Sequence, residues 1–381
     1  MVNQRLSIGN QCQTMVCRVV WFFMTFLKVD IARLWFAVFI IVVLARSVCA
    51  SAAEQVLRVA VVANASSGEL TFAGIPQVVA RDELFREALA KHKYRIEWIP
   101  VSTAAVATLV NESFASGKID FAFYGDLPSL ILNASGISTR LIVPGSVGNN
   151  TYLVVPQNSI AKTIRDLKGK RIALHRGRPW EATFAKLVAA EGLTLRDFRI
   201  MNLNPQAGAA AVSAGNVDGF FTLSDAHALT EKGVGKIIWS TKVAPVSWRM
   251  RAELWGSKSF VDTYPEITQL LATATVRAVH WVSQPENQDA YIREQARMGL
   301  PESLIRLDIL DDNISWKNYW SPLVGPDLLE HYRDLNAYAR SARLIRKPVA
   351  AEELIEAGFV SVAIQALGLE HYWPVPVEAN E

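Results

Sequence analysis

The chain has 381 residues, 51% of them apolar and 20% charged, with 3 cysteines and a formal net charge of +3. That apolar content excludes wholesale disorder, and the length suits one large domain or two lobes of ordinary size. The positive excess belongs to residues 1–53, where Arg5, Arg18, Lys28, Arg33 and Arg46 face Asp30 alone; the near-neutral remainder has no electrostatic footprint for nucleic acid.

Two apolar runs open the chain, Val19–Leu27 and Leu34–Ala45, separated by Lys28, Asp30 and Arg33. Each is shorter than the roughly 18 to 20 apolar residues a spanning helix needs. The second leads into Ser47-Val48-Cys49-Ala50-Ser51-Ala52-Ala53. A basic flank, a short apolar centre and a small-residue site together describe a secretory signal, with residues 1–53 as signal peptide and upstream extension. A short membrane anchor is the alternative. A lipid anchor at Cys49 is disfavoured by the flanking Arg46-Ser47-Val48, and Met24 makes a more ordinary signal start than Met1. All three cysteines (Cys12, Cys17, Cys49) precede the expected cut. The exported body therefore folds without disulfides and has no thiolate chemistry.

From Leu57 onward, apolar runs alternate with amphipathic stretches, the pattern of a parallel α/β sheet. Strands are expected at Leu57–Ala63, Tyr94–Val101 and Ile119–Tyr124, with extended segments at Leu141–Val143 and Tyr152–Val155. Helices are expected over Val78–Ala90, Ala104–Phe114 and from Asp126 to Leu132. A similar series follows: a strand over Gly169–Leu174, a helix from Pro179 through Ala190, and a strand at Phe198–Leu203. It continues with a helix over Pro205–Ser213, a strand at Gly219–Leu223, a helix from Asp225 and a last strand at Lys236–Trp239. Pro265–Val282 is a long helix, and the rest is helical up to the tail. Gly117-Lys118-Ile119-Asp120 and Gly215-Asn216-Val217-Asp218 stand in like places before strands. This echo predicts two lobes on one plan: residues 54–147 with 243–345, and residues 148–242. Residues 346–381 form a C-terminal helix and tail on the first lobe.

No nucleophile elbow, zinc-protease helix, phosphate loop or dinucleotide fingerprint occurs. The six histidines (92, 175, 227, 280, 331, 371) are scattered, and neither a metal nor a cofactor is expected. What recurs is a strand that ends in small polar residues and turns straight into a helix, at Asn64–Gly68, Gly125–Pro128, His175–Trp180 and Thr222–His227. In open α/β sheets ligands bind beyond the carboxyl ends of the strands, where helix N-termini favour anions. Arg178 adds a full charge and a planar fork suited to an oxyanion. The same residues also read as caps: Asp126 and Thr222 as N-caps, Thr222 to Asp225 as a capping box, Pro179 as a first helical residue. Asp225 is expected to cap; Asp126 either caps or meets a cationic part of a ligand. Trp180, Trp248 and Trp255 either line the cleft or pack in a lobe interior.

At Gly117-Lys118-Ile119-Asp120-Phe121 and Gly125-Asp126-Leu127-Pro128 the chain resembles the periplasmic binding proteins of nitrate, sulfonate and bicarbonate ABC importers. The likeness continues in Tyr152–Pro156, Ile164–Ala173, Glu191–Leu193, Gly215–Asp218, Phe260–Glu266 and Leu344–Val349. It spans residues 56–368, with the aliphatic sulfonate and taurine branch nearest. The resemblance implies a two-lobed type II periplasmic binding fold, each lobe a mostly parallel sheet flanked by helices, with the ligand cleft between lobes. It implies a monomeric, non-enzymatic periplasmic receptor that closes on a small anionic solute and passes it to an ABC permease in the inner membrane. Ligand contacts carried over by position fall at Ser66, Ser67, Gly125, Asp126, Arg178, Trp180, Ser224 and Trp248. Arg176-Gly177-Arg178-Pro179 and Leu223-Ser224-Asp225-Ala226 depart from the family's usual wording at the cleft and bear on which solute is held. Hinges are expected near Val147–Asn150 and Thr241–Ala244. The alternatives are an exported sensing domain, a non-thiol enzyme on the same scaffold, or a receptor for nitrate, bicarbonate or a pyrimidine-like heterocycle.

Overall fold

The computed structural model describes residues 54–66, 69–310 and 313–374. The signal segment, its alternative start and the three cysteines lie outside the described residues, as do Ser67 and the last seven residues. The chain divides into the units Met1–Glu54 and Gln55–Glu381, and every element below belongs to the second.

Among the described residues, eleven strands and fifteen α-helices follow in order. They are β1 (Gln55–Ser66), β2 (Glu69–Phe72), α1 (Pro76–Val79), α2 (Glu83–Lys91), β3 (Tyr94–Val101), α3 (Val106–Ala115), β4 (Phe121–Gly125), α4 (Asp126–Ala134) and β5 (Thr139–Val143). Next come β6 (Tyr152–Pro156), β7 (Arg171–Ala173), α5 (Pro179–Ala190), β8 (Arg199–Met201), α6 (Pro205–Ser213), β9 (Gly219–Thr222), α7 (Asp225–Glu231) and β10 (Gly235–Ser240). The rest are β11 (Ala252–Ser257), α8 (Lys258–Thr263), α9 (Pro265–Ser283), α10 (Gln288–Ala296), α11 (Glu302–Ile309), α12 (Trp316–Tyr319), α13 (Pro326–Ser341), α14 (Ala351–Leu354) and α15 (Gly358–Ala366).

The strands form two sheets of one design. In the first, β3, β1 and β4 run parallel, β11 returns antiparallel beside β4, and β5 closes the edge; β2 hairpins onto the end of β1. In the second, β8, β7 and β9 run parallel, β6 returns beside β9, and β10 closes the edge. Alternate side chains explain the continuous apolar runs. Leu57, Val59, Val61, Phe121 and Leu254 face a core shared with α1, α2, α9 and α15, whereas Ala60, Ala122 and Trp255 face one shared with α3, α4 and α13. In the second sheet Leu153, Val155 and Phe221 pack under α5, while Tyr152, Val154 and Phe220 pack under α6 and α7.

A matched pair of clamps fixes the two sheets. Asp120, just before β4, accepts from the Arg58 backbone N–H at 2.8 Å and from its guanidinium, which also reaches the Gly117 carbonyl. Asp218, just before β9, accepts from the Arg171 N–H at 2.9 Å and from its guanidinium, which also reaches the Gly215 carbonyl. The repeated Gly-x-x-Asp is thus a device of the fold, tying the third parallel strand to the first.

Three local expectations need correction. The single helix over Val78–Ala90 is two, α1 and α2, because Asp82 takes an extended conformation, accepts from Phe85 N–H and pairs with Arg277 of α9. The hairpin strand β2 was not foreseen. Nor was β11, whose buried Glu253 hides it from an apolar pattern; its carboxylate is held by Arg251 and by the Tyr332 hydroxyl.

The chain crosses between the sheets in residues 144–151 and 241–251, and the crossings run side by side. Asn149 N–H donates to the Met250 carbonyl at 2.7 Å, Thr151 N–H to the Thr241 hydroxyl at 2.9 Å, and that hydroxyl to the Asn150 side chain at 3.0 Å. Two further ties join the sheets' helices. Lys186 of α5 pairs with Asp334 of α13 at 3.0 Å, and α11 packs on α7.

Candidate functional site

The turn between β7 and α5 is built to present one side chain. Gly177 has a φ of +71°, the left-handed region that favours glycine. The Arg176 N–H donates to Asn202 Oδ1 at 2.9 Å. The fully buried Glu181 carboxylate, one turn into α5, accepts from the Gly177 N–H and from Arg176 Nε. Glu181 is therefore answered by Arg176, not by its neighbour. Arg178 occupies the N-cap position in extended conformation, and Pro179 opens the helix.

Arg178 is only 4% exposed. Its Nη2 donates at 2.7 Å to the carbonyl of Thr103, which follows β3 of the first sheet, and its guanidinium carbon lies 5.4 Å from the Trp180 ring centre. Its Nε is buried with no hydrogen-bond partner. Burial pulls the pKa down to about 10, so the group is still a cation at neutral pH, and no carboxylate acts on it. A buried guanidinium with an open donor and no resident anion is a receptor for one. His175, at the start of the same turn, also has a buried Nδ1 without a partner; burial first and Arg178 second hold its pKa near about 4.

From the other sheet the end of β4 comes to meet this turn. Gly125 is the N-cap of α4, and a Cβ added there would lie 2.2 Å from Pro179 Cγ. The starts of α4 and α5, one from each sheet, thus abut.

The remaining expected residues take other places. Asp126 is 1% exposed, and its carboxylate is taken up by the Leu127 N–H, by the Arg251 N–H at 2.9 Å and by His331 Nε2 at 2.8 Å. It stands at the first position of α4 instead of capping it, and it ties that helix to β11 and α13. Trp180 is buried in the second lobe's core. Trp248 packs 6.4 Å from Trp239 and, with Asp126, lines a crevice between α5 and α13 of about 10 Å³, room for about one water and too little for an organic solute. Trp255 is fully buried between Tyr124 and Tyr332. Ser224, not Thr222, is the N-cap of α7, while the Thr222 hydroxyl donates to both oxygens of Asp225 at 2.8 and 2.9 Å. Ser66 ends β1 opposite Glu69.

Near the crossings lies a group of polar residues not foreseen as a set. The Tyr152 hydroxyl donates to Asp308 at 2.7 Å, and the Tyr152 ring lies 4.6 Å from that of His227. Burial pushes both Asp225 and Asp308 up to about 6 and His227 down to about 4. Among the described residues no group of three or more His, Cys, Asp or Glu side chains is placed to hold a metal ion. No described helix is long and apolar enough to cross a membrane.

The family model described as NMT1/THI5 like matches residues 102–288. Among solved structures, the periplasmic sulfonate-binding protein SsuA of a putative sulfonate ABC transporter from Methylobacillus flagellatus KT is 47% identical. Its TM-score is 0.78, over 86% of this chain and 100% of that one. The taurine-binding periplasmic protein of Escherichia coli K12 is 27% identical over 204 residues, 50% of this chain. The match spans 61% of that relative's length. The desulfurization enzyme DSZB, at 17% identity and a TM-score of 0.61 over 82% of this chain and 99% of its own, shares the fold.

Proposed function

The chain belongs to the NMT1/THI5-like family of periplasmic binding proteins, and from that premise we propose that it is the solute-binding component of an ABC importer, closing two lobes on a small organic sulfonate. The observation that carries this reading is Arg178: a buried cation of the second lobe, bonded to the first and without a carboxylate partner. A sulfonate is a single negative charge on three acceptor oxygens, and it fits one guanidinium beside a helix start. The ligand set we assign is Arg178 with the Gly125 and Thr103 side of the first lobe and, by resemblance, Ser66, Ser67 and Ser224. Asp126 and Trp180 support the site from behind.

We further read residues 54–147 with 243–345 as one lobe and 148–242 as the other, with residues 346–381 on the first. The paired crossings at Val147–Asn150 and Thr241–Ala244 serve as the hinge, and a ligand that binds the closed form better shifts the population toward it. The protein is read as an exported periplasmic monomer that delivers its solute to an inner-membrane permease. Capture without turnover is favoured because residues 54–374 contain no cysteine nucleophile. A thermal-shift screen over alkanesulfonates, taurine, nitrate, bicarbonate and pyrimidines tests the reading, since a ligand bound only by the native state raises its melting temperature. A shift with a sulfonate, and an unaltered sulfonate recovered afterwards, is the expected result. A shift with nitrate or a pyrimidine alone, or consumption of the sulfonate, overturns it.

A further inference from the structure

Two nitrogens on the β7–α5 turn are buried and unpartnered, Arg178 Nε and His175 Nδ1, three residues apart. Buried donors are ordinarily paired, and two on one turn are placed to serve one acceptor. Several other polar groups of this turn are engaged. Arg176 and Gly177 bond Glu181 and Asn202, and Arg178 Nη2 bonds the Thr103 carbonyl.

We propose that His175 is a second, specificity-determining ligand residue, donating from Nδ1 to the same oxyanion that Arg178 holds, so that a site with one guanidinium and one imidazole selects singly charged oxyanions over doubly charged ones. The inference rests on the anion-receptor reading of the cleft. The imidazole is neutral at pH 7 because burial and Arg178 oppose its protonation. The charged groups about the turn are Arg178, Arg176 and Glu181, the last of which acts on Tyr338 of α13; of these only Arg178 acts on His175. A sulfonate's charge is matched by Arg178. A phosphonate dianion leaves a second buried charge uncompensated, and such a charge is expelled.

Calorimetry of the exported protein with ethanesulfonate and ethylphosphonate across pH 7–9, which resolves the phosphonate's monoanion from its dianion, reads the selectivity. Ethanesulfonate titrations at pH 5, in two buffers of different ionisation heat, read proton uptake. The wild-type protein is expected to bind ethanesulfonate at least about tenfold more tightly than the phosphonate dianion. At pH 5 it takes up part of a proton, because the bound anion favours the imidazolium. His175→Phe weakens ethanesulfonate about tenfold, the loss of one hydrogen bond. His175→Gln, which keeps a side-chain N–H, binds within about threefold of wild type. Both variants lose the His175 share of proton uptake; any contribution from Asp225 and Asp308 is common to all three proteins and cancels. Equal affinity for the two anions, or a His175→Gln protein with wild-type proton uptake, overturns the proposal even if the Phe variant fails to fold. Failure of the wild-type protein to bind any sulfonate strikes the anion-receptor reading instead.

Discussion

Arg178 and Thr103 follow strands of different sheets, yet Nη2 of the first donates to the carbonyl oxygen of the second at 2.7 Å. The bond uses one of the five N–H groups of the guanidinium and cancels none of its charge. Arg178→Ala is therefore expected to weaken sulfonate binding by about 2–4 kcal/mol, the loss of a desolvated charge-assisted contact. The ligand-free protein should melt no lower than wild type, since removing a buried charge without an ionic partner relieves a desolvation cost. Calorimetry and thermal unfolding together check both halves. An unchanged affinity removes Arg178 from the site.

Asp126 makes the opposite prediction. Its carboxylate already accepts from two backbone N–H groups and meets His331, with 1% of the residue exposed. Asp126→Ala strands the Arg251 N–H and His331 in the interior, at a cost of about 2–4 kcal/mol. Urea unfolding should show the loss, while ligand affinity of the folded protein moves less than about threefold. A tenfold loss of affinity at unchanged stability would instead make Asp126 a ligand contact.

Two half-buried carboxyls and a half-buried histidine set opposed pH slopes. Asp225 and Asp308, held near about 6 by burial, keep protons that the unfolded chain releases at about 4. Stability from them is therefore full at acid pH, falls between about 4 and 6, and stays reduced above. His227, held near about 4 by burial and then by Lys242, binds fewer protons than its unfolded form at about 6.5, so its term rises with pH across that window. In the wild-type protein the one rising term offsets only about half of the two falling ones. Asp308→Asn removes one falling term and still accepts from Tyr152. Its stability should match wild type near pH 4 and exceed it above pH 6.5, by up to about 3 kcal/mol. Parallel melting curves across pH 4–8 would show that Asp308 carries no such cost.

What the sequence disclosed followed from locality. Strands buried on both faces, such as Leu57–Ala63, announce themselves as apolar runs. Glu253 spoils that signal in β11, because the hydroxyl that helps to neutralise it, on Tyr332, lies 79 residues away. The Gly117–Asp120 and Gly215–Asp218 echo was visible, but its meaning depends on Arg58 and Arg171, which no spacing rule connects to it. At the site, Arg178 was legible as a charge at a helix start. The direction of the Asp126 carboxylate was not, since it is set by His331, 205 residues further on. His175 stood within a flagged junction but had no local partner to mark it.

Gly125 tests whether the meeting of the lobes matters to binding. Its φ of −75° suits any residue, so alanine there carries no backbone strain. The added methyl would instead fall 2.2 Å from Pro179 Cγ, on a proline ring that cannot rotate away. The clash lies between α4, which follows β4 of one sheet, and α5, which follows β7 of the other, away from the two cores. Gly125→Ala should therefore lower ligand affinity by tenfold or more through loss of the closed arrangement, with ligand-free melting nearly unchanged. Small-angle scattering with saturating ligand should show a larger radius of gyration than the wild-type complex. If the variant binds and compacts as wild type does, the approach of Gly125 to Pro179 is incidental, and closure must be driven from the Arg178–Thr103 side alone.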